Sequence, residues 1–452
     1  MISFLNRNVF SPLHARRDGS RQFEHLRFLK QSQYDSPEVI QMRQWLRIRA
    51  LLQHAYNTVP YYREQFHAIG LHPSDITDWN QFAQIPILTK SLIRGNSESL
   101  RSSSYPDIRK LRKKTTSGST GVSLTVYNDL PSVFWKTACT IRSDEWSGWR
   151  FGERSGKVWG NPDFHHDGLK GRIRNWLIER ATYLDTLHIN DEQIQKFCDT
   201  LRRWPVKLLF GHAHSLYLLA CYCKKHQIDY IRPNGIISTA MLLHGYQRVL
   251  MEEMFGTKVT NRYGCEETSL IASECEEHDG LHFNSDSIYA EILPDRPDSG
   301  SLVLTDLTNF AMPLIRYKVG DVVVGTDRKC KCGRGLPMIE RVEGREADYV
   351  LSPSGKLISG ISLTENFATL IKGAAQVQIV QETREFLRIR MVRSEQFGEQ
   401  TYGDVRNLFT DTFGEEMKYE LDLVDAIPQE ASGKYRFCIS QVASDYMRAM
   451  SA

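Results

Sequence analysis

From about residue 115 to 325, short β-branched runs alternate with helical patterns, and this alternation constrains the fold more than any other feature of the chain. SLTVY, KVWG, LLFG, GIIST and KVTNRYG are strand-like, whereas SLYLLACYCKKHQ and LHGYQRVLMEEMFG carry apolar residues at three- and four-residue spacing. Strands separated by helices are too far apart in sequence to pair as hairpins. They predict an α/β body with a largely parallel sheet. Residues 287–325 change to strands punctuated by Pro, Asp and Gly, which predicts an antiparallel β subdomain from about 287. Upstream, residues 37–70 read as amphipathic helices broken at Val59-Pro60. Past about 346, QVQIVQ and FLRIRMV flank a polar turn, followed by a helical stretch (YGDVRNLFTDTFGEEM) and a further strand (YELDLVDAI). This layout predicts a large body over 1–346 and a small α+β domain over 347–452, divided at the polar segment Glu343–Asp348.

Composition excludes several classes. With 41% hydrophobic and 25% charged residues, the 452-residue chain can bury a large core. Its 57 basic and 54 acidic side chains leave a net +3, too slight to argue for a nucleic-acid partner or a membrane surface. No stretch approaches the ~18 apolar residues of a spanning helix. The N-terminal MISFLNRNVFSPLHARRDGSR lacks the apolar core of a secretion signal, so the expected location is cytoplasmic. Nine cysteines without an export signal favour reduced thiols and metal ligands over a disulfide framework.

The sharpest local signal is Thr115-Thr-Ser-Gly-Ser-Thr-Gly121. Such a run is either a solvated turn or a loop whose N–H and hydroxyl groups converge on a phosphate. It is not a Walker A loop, because Val122 stands where that motif needs Lys. The run resembles the phosphate loop of the adenylate-forming superfamily of acyl-CoA synthetases. Four further segments fall in that superfamily's order: Tyr263-Gly-Cys-Glu-Glu267, Arg316-Tyr-Lys-Val-Gly-Asp321, Gly344-Arg345 and Ser432-Gly-Lys434. NTVPYYREQF, PILTKSLIR, ECEEHDGLHFNSD and CKCGR are similar to the phenylacetate-CoA ligase-like branch, which includes enzymes of capsular polysaccharide pathways.

The resemblance implies a small C-terminal domain that rotates between two half-reactions. Thr116, Ser117, Gly118, Ser119, Thr120 and Gly121 are then expected at the ATP phosphates, and Ala240, Tyr263 and Gly264 around adenine. Asp321 suits the ribose hydroxyls, since a carboxylate accepts two hydrogen bonds. Arg345 reaches ribose or phosphate, Glu267 holds Mg2+, and Lys434 stabilises charge at the α-phosphoryl group. By the same resemblance Cys275, His282, Cys330 and Cys332 bind a structural zinc, with His278 the competing histidine. Phe210 and His212 are candidates for the acid pocket. Met241 stands where many relatives have Glu, which leaves the acid class open, and Ala347 where the hinge usually has Asp.

The expected activity is an AMP-forming ligase that converts a carboxylic acid and MgATP to an acyl-adenylate and passes the acyl group to coenzyme A. Transfer to an amine or hydroxyl, retention of AMP on the product, and a zinc-stabilised nucleotide-binding protein without chemistry are the alternatives. No nucleic acid is expected as a partner, and a homodimer is left open.

Overall fold

The computed structural model describes residues 2–116, 124–159, 168–186, 190–294, 299–343, 349–427 without 361–362, 364–365 and 368–369, and 437–446 without 444. Ser117–Gly121, Arg345, Ala347 and Lys434 therefore lie outside the described residues.

The alternating stretch forms the parallel half of an eleven-stranded sheet. Strands β3 (Ser155–Val158), β4 (Ala181–Leu184), β5 (Leu208–His212), β6 (Gly235–Thr239) and β7 (Val259–Cys265) pair in parallel in the order β4-β3-β5-β6-β7. Helices Asp191–Arg203, Ala213–Lys225 and Gly245–Phe255 cover one face, where Val158, Leu209, Ile236 and Val259 meet Phe197, Leu216 and Met251.

Pairing turns antiparallel at β8 (Ser269–Glu274), upstream of the strand-and-turn stretch at 287. It continues through β9 (Leu281–Phe283), β13 (Met338–Glu343), β12 (Tyr317–Gly325), β11 (Ser299–Asp306) and β10 (Ile288–Pro294). The antiparallel strands thus extend the same sheet, because β8 folds back on the last parallel strand through a tight hairpin. On this half lie the helices Pro37–Thr58 and Pro60–Ala68, burying Ile48, Leu51, Leu52 and Phe66 against Ile271, Leu302, Val323 and Ile339. Ser36 caps the first helix by accepting from the Val39 N–H, and Pro37 follows it. The break falls where expected: Val59, preceding Pro60, is extended at φ −115° and ψ 108°.

A two-stranded ribbon pairs β1 (Arg112–Thr116) with β2 (Leu124–Asn128). Toward the C-terminus, β14 (Tyr349–Leu351) pairs with β15 (Leu357–Ser359). A four-stranded sheet has the order β18-β17-β16-β19, comprising β16 (Ala374–Thr383), β17 (Phe386–Arg393), β18 (Lys418–Leu423) and β19 (Cys438–Ser440). Helix Glu399–Phe413 packs Val405, Phe409 and Phe413 on its Ile379 and Ile389. The β14–β15 hairpin meets both cores: Val350 and Ile358 join this one, whereas Tyr349 is fully buried with the parallel half's helices, its hydroxyl 3.0 Å from Ser215 Oγ.

Candidate active site and metal centre

Ligands in open α/β sheets bind beyond the carboxyl ends of the parallel strands. Here those ends carry Trp159, His212, Ala240 and Tyr263. Register places Phe210, His212, Thr239 and Arg262 on the face opposite the three covering helices. Trp159 stacks on Phe210 with centroids 5.5 Å apart and meets the His212 ring at 3.9 Å. The Arg262 guanidinium lies 4.7 Å from the Phe210 centroid and pairs with Asp144 at 2.7 Å. His212 is 2% exposed, and among the described residues neither of its ring nitrogens has a hydrogen-bond partner. Burial lowers its pKa to about 4, so the imidazole is neutral at pH 7. The arrangement is an aromatic wall with one buried neutral group able to exchange a hydrogen bond.

Ala240 follows β6 with φ +67°, an uncommon conformation for a residue with a side chain, and it is exposed. Next to it the β7–β8 hairpin holds Tyr263, Gly264 and Glu267. Gly264 is dictated by packing, because a Cβ there would lie 2.7 Å from the Ser269 carbonyl oxygen. A bulge between Tyr263 and Gly264 turns the strand at this point. The Tyr263 hydroxyl donates to Asp321 Oδ2 at 2.5 Å, joining two residues 58 positions apart. Asp321 is 2% exposed and follows Gly320, whose φ of +89° falls where β12 bulges against β11.

Glu267 is buried in the hairpin turn. Its Oε1 accepts from the Tyr317 hydroxyl at 2.7 Å, with Lys90 Nζ 3.9 Å away. Lys114 on β1 donates to Ser269 Oγ at 3.0 Å, which sets the β1–β2 ribbon against this hairpin. Burial pushes the Lys114 pKa down. Arg316 serves the scaffold: its guanidinium forks onto Glu291, with Nε 3.1 Å from both carboxylate oxygens, and reaches the Ile85 carbonyl at 2.6 Å.

On the β8–β9–β13 side, the donor atoms of Cys275, His282, Cys330 and Cys332 all lie within 4.8 Å of one another. Cys275 and Cys330 have sulfurs 3.6 Å apart, and Cys332 Sγ is 3.4 Å from His282 Nε2. A disulfide needs about 2.05 Å. The edge of a tetrahedron with metal–sulfur bonds of about 2.3 Å is about 3.8 Å, so the spacing fits ligands around one small cation. His282 Nδ1 faces the Leu336 carbonyl at 3.1 Å, which leaves Nε2 turned to the cluster. His278 turns away to Glu274 at 3.2 Å. Behind the cluster, the Gly335 N–H donates to the Gln33 carbonyl, and a Cβ on Gly335 would lie 1.9 Å from the Asp35 carbonyl oxygen. The 330–335 loop is thus wedged against the start of the helical layer.

Known proteins agree with this layout. Residues 350–441 match the model of the CapK C-terminal domain. The chain is 23% identical to Protein CapK of Staphylococcus aureus, over 84% of this chain and 85% of that one. To the phenylacetate-coenzyme A ligase of Pseudomonas putida it is 26% identical, over 79% and 80%. These matches support the adenylate-forming, phenylacetate-CoA ligase-like family. A crystal structure of 2-hydroxyisobutyryl-CoA ligase with 2-HIB-AMP and CoA in its thioesterification state shares the fold of this chain. Its TM-score is 0.60 at 19% identity, covering 93% of both chains.

Of the residues expected from the sequence, Tyr263, Gly264, Glu267, Ala240 and Asp321 lie on β7, the β7–β8 turn, the end of β6 and β12. Tyr263 and Asp321 touch, and the four metal candidates converge. Trp159, Tyr317, Lys90 and the Arg262–Asp144 pair were not expected. Tyr317 lay inside a recognised motif and Trp159 at the end of a recognised strand, but their partners are distant in sequence.

Proposed function

We propose that this ligase activates a carboxylic acid with MgATP to an acyl-adenylate and passes the acyl group to a thiol, most simply coenzyme A. The observation that carries the reading is the Tyr263–Asp321 hydrogen bond at the carboxyl edge of the sheet, with Glu267 on the same hairpin. In this reading Asp321 accepts the ribose hydroxyls, while Tyr263 and the exposed backbone at Ala240 border adenine. Thr116 to Gly121 hold the phosphates, and Arg345 contacts ribose or phosphate. Glu267 would hold Mg2+, which when bound offsets phosphate charge. Attack of a carboxylate on the α-phosphorus brings two anions together, so the residues' task is alignment and charge stabilisation. Lys434, carried by a C-terminal domain beginning near 347, supplies the second. The aromatic wall of Trp159 and Phe210 takes the acyl group, with His212 offering it one hydrogen bond. Cys275, His282, Cys330 and Cys332 would hold a zinc ion whose closed ligand shell is structural.

ATP–pyrophosphate exchange over aryl, fatty, amino and hydroxy acids tests the first half-reaction without an acceptor. Exchange with one acid class is expected; silence across the panel from folded, zinc-loaded protein overturns adenylation. A second reading sends the acyl group to an amine or hydroxyl. Turnover of the adenylate by thiol or by amine decides between them.

A further inference from the structure

The N-terminal helical stretch is built inside out. Residues 2–17 run as one helix with a wide turn over Asn6–Phe10, closed by the Ser11 N–H on the Asn6 carbonyl. Across that turn the repeat lengthens to five residues and then returns to four. Asn6, Ser11 and Ala15 therefore share one side, and Phe4, Val9 and Leu13 form a second row with the same spacing, offset by two residues. The buried side is the polar and small one, with Asn6 at 0%, Ser11 at 5% and Ala15 at 5% exposure. The other row is apolar and faces water, with Phe4 65% and Leu13 58% exposed.

A second exposed apolar row lies on the segment that the buried side of this helix touches. Asn6 Nδ2 donates to the carbonyls of Leu177 and Ile178 at 2.6 and 2.7 Å, tying the first helix to the segment Leu169–Glu179. There Leu169, Ile173 and Trp176, at four- and three-residue spacing, share one helix face. They are 74%, 49% and 53% exposed. Basic side chains surround both rows: Arg16, Arg17, Lys170, Arg172 and Arg174 are exposed. Residues 2–18 and 169–180 together hold seven basic and two acidic side chains, Asp18 and Glu179. That local excess is larger than the net charge of +3 for the whole chain, which hides it.

We infer that these two exposed segments dock on an anionic lipid surface, the apolar rows entering the headgroup boundary and the basic side chains meeting lipid phosphates. Exposed Phe, Leu and Trp on helices rimmed by Lys and Arg have the chemistry of an interfacial helix. Trp176 joins an apolar body to a polar N–H and suits that boundary. A second copy of the chain fits worse, since a two-fold contact through these segments would set the same cations against each other. The attachment is peripheral, because no helix among the described residues is long and apolar enough to cross a membrane.

The test is co-sedimentation of the full chain with vesicles of phosphatidylcholine alone and of equal parts phosphatidylcholine and phosphatidylglycerol, at low and high salt. Binding to the anionic vesicles that weakens with salt is expected. Phe4→Glu with Trp176→Glu should reduce partitioning by about tenfold or more, with thermal melting and pyrophosphate exchange unchanged. Arg172→Glu with Arg174→Glu should abolish the preference for anionic lipid. Failure of the folded wild-type chain to bind anionic vesicles at low salt overturns the inference, as does equal binding by the folded Phe4→Glu/Trp176→Glu variant. So does self-association, lost in that same variant, by a chain that ignores vesicles.

Discussion

Replacing Tyr263 by phenylalanine removes one hydroxyl and keeps the ring, which separates two roles assigned to this residue. In the free protein the hydroxyl donates to Asp321 Oδ2 on a carboxylate that is 2% exposed. A hydrogen bond to a charged group contributes about 1.5–3 kcal/mol, and a buried acceptor left without its donor costs a similar amount. Tyr263→Phe should therefore destabilise the fold by about 2 kcal/mol, a fall in Tm of about 2 °C for a chain of this size. If the hydroxyl orients Asp321 for the ribose, KM for ATP should also rise by up to about tenfold, equivalent to about 1.4 kcal/mol. The value of kcat should change less, because the contact is made before the transition state. Tyr263→Ala should raise KM further, by the lost stacking. The assay is pyrophosphate exchange titrated with ATP, alongside circular-dichroism melts. A Tyr263→Phe protein with wild-type Tm and KM would refute the argument that this hydrogen bond positions the ribose acceptor.

Lys434→Ala should cost about 100-fold or more in adenylate formation, in line with removal of one preorganised charge-stabilising donor, and single-turnover assays of the first half-reaction measure it. Protein purified without chelator should hold about one zinc per chain; Cys332→Ser should lower both metal content and Tm, read by elemental analysis and melting. Gly264→Ala should impair folding or exchange activity, because its Cβ would press 2.7 Å from the Ser269 carbonyl and force the Glu267 turn to move. His212 and His214 have folded-state pKa values lowered by burial to about 4, below the usual 6.5. Between these values the unfolded chain binds protons the native one refuses, so stability should fall as pH drops from about 6.5 to about 4, by about 3 kcal/mol for each histidine. Urea melts at pH 7.5 and 5 test this, and His212→Phe should flatten part of the dependence.

What the sequence disclosed is what short segments carry. The break at Val59-Pro60, the parallel strands and the hairpin residues Tyr263 to Glu267 each follow from a local pattern, as does the Cys-x-Cys pair at 330 and 332. The resemblance put His282 ahead of His278, but the physical reason is tertiary: the Leu336 carbonyl holds the His282 ring with Nε2 toward the thiols, while His278 turns to Glu274. Glu267 with Tyr317, Arg262 with Asp144 and Trp159 with His212 were not legible, because each pair is made by sheet register across long intervals. Arg316 was legible as part of a motif but not as a clamp on Glu291. The exposed apolar row at the N-terminus escaped pattern reading because one wide turn shifts the helical repeat.

The placement of the helical layer also sets a timetable for biosynthesis. Ile48, Leu51, Leu52 and Phe66 are buried against β8 to β13, strands that begin about 200 residues later and end at Glu343. At roughly 5–20 residues per second a ribosome needs roughly 15–55 s to pass from residue 68 to 343. Throughout that interval the first helices have made their own hydrogen bonds but have no surface to lie on. Their wedge at Gly335 and Asp35 closes only after the last cysteines of the cluster have emerged. This early segment is therefore among the last to be locked, and nascent chains stalled before residue 330 would offer chaperones and proteases a sticky pair of helices.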